Sequence, residues 1–176
     1  MNERKSKNYE IALIAISVAM IIGGGIAIYM ISAVFPIPGS KYVMMAPVLS
    51  TILYVIQMKL KDVYTIAKFG GVFALTMSII NLFMGLAILV TTLFTHVSIV
   101  WMRDIEKRAF WGSILFAGYT GLCALTITKI FIGGIVDDVP YFIFIIIGLA
   151  CSIFGILGTI IAKRVLKHLP SKMINE

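Results

Sequence analysis

The sequence predicts an all-α polytopic membrane protein, a six-transmembrane-helix bundle with both termini in the cytoplasm (N-in/C-in), and three observations carry that reading. Hydrophobic residues make up 60% of the 176-residue chain and the mean hydropathy is +1.04, against roughly 45–50% apolar content in soluble domains. Most charges fall in a few short clusters, and the apolar stretches between them are long enough to cross a hydrocarbon core of about 30 Å at about 1.5 Å per residue. Those stretches are continuously apolar, without the alternation of membrane strands, so they read as helices.

The first stretch, 10–34, follows a basic segment and exceeds the roughly 7–15 apolar residues of a signal peptide. It is expected to be a retained span behind a cytoplasmic N-terminus of residues 1–9. The second, 42–58, runs from the Pro/Gly loop Phe35-Pro-Ile-Pro-Gly39 to Lys59. From Val63 to Met102 the only ionisable interruptions are Lys68 and His96. Forty residues of unbroken helix would measure about 60 Å, twice the hydrocarbon thickness, so the chain must turn back. Asn81-Leu-Phe-Met-Gly85 is the expected turn, giving spans 63–80 and 82–102. A fifth span, 109–135, follows the basic loop Arg103 to Arg108. The sixth, 141–165, follows Val136-Asp-Asp-Val-Pro140 and closes the transmembrane domain of residues 10–165, leaving a cytoplasmic tail at 166–176.

Orientation follows from the basic residues. With the N-terminus in the cytoplasm, 13 of the 15 fall on that side: Arg4, Lys5, Lys7, Lys59, Lys61, Lys68, Arg103, Lys107, Arg108, Lys163, Arg164, Lys167 and Lys172. Only Lys41 and Lys129 face outward, and the positive-inside bias then places the chain in the cell membrane with both termini cytoplasmic. The net charge of +7 reads as that bias and not as affinity for nucleic acid. Cys123 and Cys151 lie in apolar stretches, match no metal-ligand spacing and read as small buried hydrophobes.

Candidate chemistry is sparse. Hydrolysis inside a membrane needs a Ser/His pair, paired aspartates or a His-Glu-x-x-His site, and none is present. No catalytic residue and no resident metal or other cofactor is expected. Glu10, Asp62, Asp104 and Glu106 fall at the cytoplasmic ends of spans, so there is no ladder of mid-membrane carboxylates for an ion-coupled carrier. His96 reads as a packing or interface residue. Trp101 and Trp111 read as interfacial anchors.

Two features stand out. In span 1, Ala15, Ala19, Gly23 and Ala27 recur every four residues, with Ala12 near the start, forming a ridge of small side chains. Such a ridge lets two helix backbones approach closely, either within the bundle or against another membrane protein. In the outer half, Lys41, Tyr42, Asn81, Thr126, Lys129 and Tyr141 are the candidates for a ligand site, with Thr128 beside them. Each has a structural alternative: Lys129 snorkelling to the interface, Asn81 serving the turn, the tyrosines anchoring at the membrane surface.

The chain resembles the substrate-binding S components of energy-coupling factor (ECF) transporters. The residues that carry the likeness are Ala15-Ile-Ser-Val-Ala19, similar to that family's AxxxA interface, and Ile37-Pro-Gly-Ser-Lys41-Tyr-Val-Met-Met-Ala-Pro47, a Pro/Gly loop feeding a short second span. The stretch from Lys59 to Gly85 adds to it. The resemblance implies a protein that captures a vitamin or related micronutrient from outside, in a pocket of the outer half closed by the loop between helices 1 and 2. It further implies partners, namely a transmembrane coupling protein and two ATPase subunits that hydrolyse ATP, and a toppling motion in the bilayer that releases the substrate inward. Ala15 and Ala19, extended by Gly23, would then contact the coupling protein. No G-x-x-x-x-G-K-[ST] loop is present, so energy has to come from those partners. The patterns of the riboflavin, thiamin, biotin and folate members are not matched, and residues 1–7 lack the N-terminal histidine of the metal-specific relatives. A stand-alone secondary transporter or channel, and a membrane assembly subunit that binds no small molecule, are the competing readings.

Overall fold

The fold is given by a computed structural model that describes residues 3–32, 34 and 39–168, the side chains of residues 3–6 and 135 excepted. Residues 35–38 of the expected outer loop, the first two residues and residues 169–176 of the expected tail lie outside the described residues.

Among the described residues six α-helices follow one another: α1 (Glu3–Ser32), α2 (Ser40–Leu60), α3 (Thr65–Ile80), α4 (Leu82–Ile99), α5 (Ile105–Phe131) and α6 (Tyr141–His168), with a 3-10 turn at Gly134–Val136 before the last. Five are long and apolar enough to cross a membrane, as a multi-pass membrane protein requires. The remaining one, α3, is apolar but has only 16 residues, about 24 Å of helix. The turn expected at Asn81 is there and is a single residue, with α3 ending at Ile80 and α4 starting at Leu82.

The boundaries depart from the expected spans where local chemistry outweighs hydropathy. Helix α1 begins at Glu3, within the segment expected as a tail, and runs unbroken through Gly23-Gly24-Gly25. Helix α5 spans 105–131 instead of 109–135. The Asp104 carboxylate accepts hydrogen bonds from the backbone N–H groups of Glu106 (2.9 Å) and Lys107 (3.2 Å), an N-cap that starts the helix inside the charged loop. At the other end the helix stops at Phe131, and Gly133 and Gly134 follow with positive φ of 73° and 82°, a backbone that an α-helix cannot continue through. Helix α4 ends at Ile99 and not at 102, while α6 continues to His168.

Helices α2 and α5 form the centre, α6 lies over both, α4 pairs with α5, α3 with α4, and α1 rests on α2 and α3. The main core joins Ile14, Val18 and Ile21 of α1 to Leu49, Leu53 and Ile56 of α2, Phe69 of α3 and Phe116 of α5. Between α2, α5 and α6 the packing residues are small, namely Ala46, Ala117 and Cys151. A Cβ on Gly158 would stand 2.1 Å from the Pro47 carbonyl oxygen, so α6 crosses α2 at a contact only glycine permits. The Thr51 hydroxyl lies there within hydrogen-bond reach of both the Pro47 oxygen (2.8 Å) and the Gly158 oxygen (2.9 Å). Apolar side chains gain little from one another in lipid, so such close, hydrogen-bonded crossings carry the association.

The basic clusters share one end of the bundle. Lys68 of α3 pairs with Glu10 of α1 and, at 2.9 Å, with Asp62 in the turn after α2. Lys163 of α6 pairs with Glu106 of α5 at 2.9 Å. Arg108, 5% exposed, donates to the Lys61 carbonyl at 3.1 Å and lies 3.5 Å from that of Met102, tying the α2–α3 turn to the α4–α5 turn. The first turns of α1 and the last turns of α6 are therefore at the same end.

Candidate functional site

Helix α1 has two unlike faces. Ile14, Ser17, Val18 and Ile21 are buried against α2 and α3. Ala12, Ala15, Ala19, Gly23 and Ala27 are all exposed, and at about 100° per residue they lie opposite that buried face. A Cβ added to Gly23 meets no atom within 4 Å. Ile16 and Met20, each 59% exposed, lie along one side of the ridge. The small-residue ridge is thus not used in packing α1 onto its own bundle.

The end opposite the basic clusters holds the candidate ligand residues, in two groups that meet at the end of α5. Lys41, in the first turn of α2, places its ammonium 5.7 Å from the Tyr29 ring centroid on α1 and 5.1 Å from that of Tyr42. The Tyr42 hydroxyl in turn lies near the Thr128 side chain of α5. Gly39, with φ 88°, caps α2 without a side-chain hydrogen bond and lies against Ile147 of α6. Next along α5, the Lys129 ammonium donates to the carbonyls of Asp137 (3.0 Å) and Val139 (2.6 Å). Its charge lies 4.6 Å from the Tyr141 ring centroid and 5.8 Å from that of Phe144. The Asp137 carboxylate accepts from the Gly134 N–H at 2.9 Å. Lys129 thereby clamps the α5–α6 connection onto the start of α6.

Asn81 and Thr126 are held locally. The Asn81 side-chain oxygen accepts from the N–H groups of Phe83 (2.9 Å) and Met84 (3.3 Å), making it the N-cap of α4. Phe83 stacks on Phe131 at 5.3 Å, which brings this turn beside the end of α5. Thr126 donates to the Leu122 carbonyl of its own helix at 2.8 Å.

Gln57, Ser50, Ser113, Ser98 and Tyr119 are polar groups that the sequence reading passed over. Gln57, 4% exposed, points its amide nitrogen at the Leu53 carbonyl (3.3 Å), the Ala109 carbonyl (3.4 Å) and the Ser113 hydroxyl (3.2 Å). Ser50 donates to the Ser113 carbonyl at 3.3 Å. This ladder bonds α2 to α5 through the core. Its sequence signal was the lone amide in an otherwise apolar span, a residue costly in lipid unless paired. A second line joins α4 to α5, with Ser98 and Tyr119 hydroxyls 3.2 Å apart. His96 stacks on Tyr64 with ring centroids 5.6 Å apart, and its buried Nδ1 has no hydrogen-bond partner. At the basic end a cleft of about 300 Å³ opens between Asp104, Glu106, Lys107, Phe110, Trp111 and Lys163, with Asp104 committed to the α5 cap and Glu106 to Lys163. Among the described residues no three His, Cys, Asp or Glu side chains are grouped to hold a metal ion.

No family model, no curated protein and no solved structure matches the chain.

Proposed function

We propose that this chain is the substrate-capturing membrane subunit of an ECF-type importer, binding a vitamin or related micronutrient at the end opposite its basic clusters and handing it inward with the help of a separate, ATP-driven coupling module. The observation that carries the reading is the exposed small-residue face of α1. A ridge of Ala12, Ala15, Ala19, Gly23 and Ala27 that plays no part in the bundle is suited to close approach by a second membrane helix, because small side chains at four-residue spacing let two backbones come together in lipid. The positive-inside bias places the basic end in the cytoplasm and the Lys41, Tyr42, Lys129 and Tyr141 group outside, where an imported solute is first met. The chain carries no Walker-type phosphate loop, in keeping with energy supplied by partner ATPase subunits.

The reading separates capture from coupling, and mutations test that separation. Ala19→Trp, and in parallel Ala15→Trp, puts bulk on the exposed ridge of α1 without touching the end where capture is proposed. Each is expected to abolish uptake in cells expressing the coupling module, while the purified variant retains the small molecule that mass spectrometry finds bound to the wild type. Uptake that survives both substitutions would overturn the coupling face. A wild-type protein that carries no enriched small molecule after growth in rich medium would overturn the capture role.

A further inference from the structure

Among the described residues three lysines lie over aromatic rings, and two of the three also have oxygen partners. Lys163, over Tyr54 and Phe110, pairs with the Glu106 carboxylate. Lys129, over Tyr141 and Phe144, is bonded to two backbone carbonyls. Lys41, over Tyr29 and Tyr42, has among the described residues only the two ring faces, with no hydrogen bond and no ion pair. It is also half-buried, which raises the cost of leaving its charge unmatched.

The surroundings do not supply the missing charge. The first turn of α2 contains no acidic residue, and Gly39 offers no side-chain cap. An ammonium in that turn adds to the positive end of the helix, an arrangement that disfavours a cation and favours an anion. The acidic residues of this end are Asp137 and Asp138, and among the described residues neither forms an ion pair with Lys41. Tyr42 is already in contact with Thr128, so its hydroxyl is directed toward α5. Two ring faces attract a cation but do not neutralise it.

We infer that Lys41, walled by Tyr29 and Tyr42, is the anchor for an anionic group, a carboxylate or a phosphate, so that the captured solute is an acid or a phosphate ester. This inference rests on the capture reading for its soluble ligand, and the same chemistry is offered by the phosphate of a membrane lipid. A carboxylate or phosphate oxygen at the Lys41 ammonium completes the site as Glu106 completes that of Lys163, with a charge-assisted hydrogen bond.

The test is native mass spectrometry of the full-length protein in nanodiscs, comparing wild type, Lys41→Gln and Lys41→Arg. In phosphatidylcholine discs the probes are benzoate, phenyl phosphate and neutral benzamide; a second set of discs contains phosphatidylglycerol. Wild type is expected to retain an anionic probe over benzamide by about tenfold, equivalent to about 1.4 kcal/mol. Lys41→Gln is expected to lose that preference and Lys41→Arg to keep it, with thermal midpoints confirming that both variants are folded. If Lys41→Gln instead loses only phosphatidylglycerol adducts, the anion is a lipid headgroup, which upholds the site and deprives the capture reading of its ligand. A soluble probe held equally by wild type and Lys41→Gln overturns the anion anchor while leaving capture intact. No anion preference in either set of discs also overturns it.

Discussion

The two ends of the bundle are built on different rules. At the basic end, charges link elements far apart in sequence: Lys68 reaches Glu10, Arg108 reaches Lys61, and Lys163 reaches Glu106. At the opposite end the polar side chains mostly serve their own segment. Asn81 caps the helix it precedes, and Lys129 holds down the connection that follows its own helix. Lys41 bridges helices there through ring faces, meeting the Tyr29 ring of α1 from the first turn of α2. The difference teaches where stability and binding are stored. Substitutions at the basic end are expected to loosen the whole bundle, whereas those at the opposite end are expected to alter a loop or a ligand and leave the bundle standing.

The largest expected effect is at Arg108. Arg108→Ala removes the buried link between two turns and leaves their carbonyls without a donor, a loss of about 3 kcal/mol. The thermal midpoint in detergent is expected to fall by about 5–10 °C. An unchanged midpoint would break the contrast at its strongest point. Lys129→Met should cost less, about 1 kcal/mol, because the clamp is local and partly exposed. Its signature is faster amide exchange at Gly134 to Val139, with the global midpoint nearly unchanged; a collapse of the whole bundle would show that this end is structural after all.

The smallest effect sharpens the comparison through pH. Burial alone would raise the Asp62 carboxyl, but the hydrogen bond from Lys68 and the N–H groups of Tyr64 and Val63 outweigh it and hold the group below the usual carboxylate range. A depressed folded-state value means that its contribution is present above the ordinary carboxylate pKa and is lost as pH falls through the lower one, below about pH 4. Asp62→Asn is therefore expected to lower the midpoint slightly at neutral pH and to flatten its decline in acid. A decline as steep as that of wild type would remove Asp62 from the network.

The helices themselves were legible because apolar length and hydrocarbon thickness leave few alternatives. The Asn81 turn followed from that arithmetic alone, and its capping geometry adds the reason that asparagine stands there. The direction in which α1 faces was not legible. Both its faces are apolar, as membrane helices allow, so periodicity located the small-residue ridge but gave no sign of whether it faced protein or lipid. Only the burial of Ile14, Val18 and Ile21 decides that. The Gln57 to Ser113 ladder was hidden for another reason: its members are 56 positions apart, and pairing over such a distance leaves no local pattern. The start and stop of α5 lie about four residues before those of the expected span because a cap and two glycines of positive φ, which hydropathy does not register, set them.

The single-residue link at Asn81 bears on how the chain is made. At 16 residues α3 is shorter than the 20 or so that a typical bilayer crossing takes, so it is a poor candidate to leave the insertion machinery by itself. With no slack between Ile80 and Leu82, α3 and α4 are delivered as a helical hairpin. Glycines at their seam, Gly70 against Thr92 and Gly85 against Ser78, let the pair close as it forms. The commitment of α3 to the bilayer is thereby postponed until α4 has been synthesised, and a ribosome stalled within α4 would leave α3 outside it.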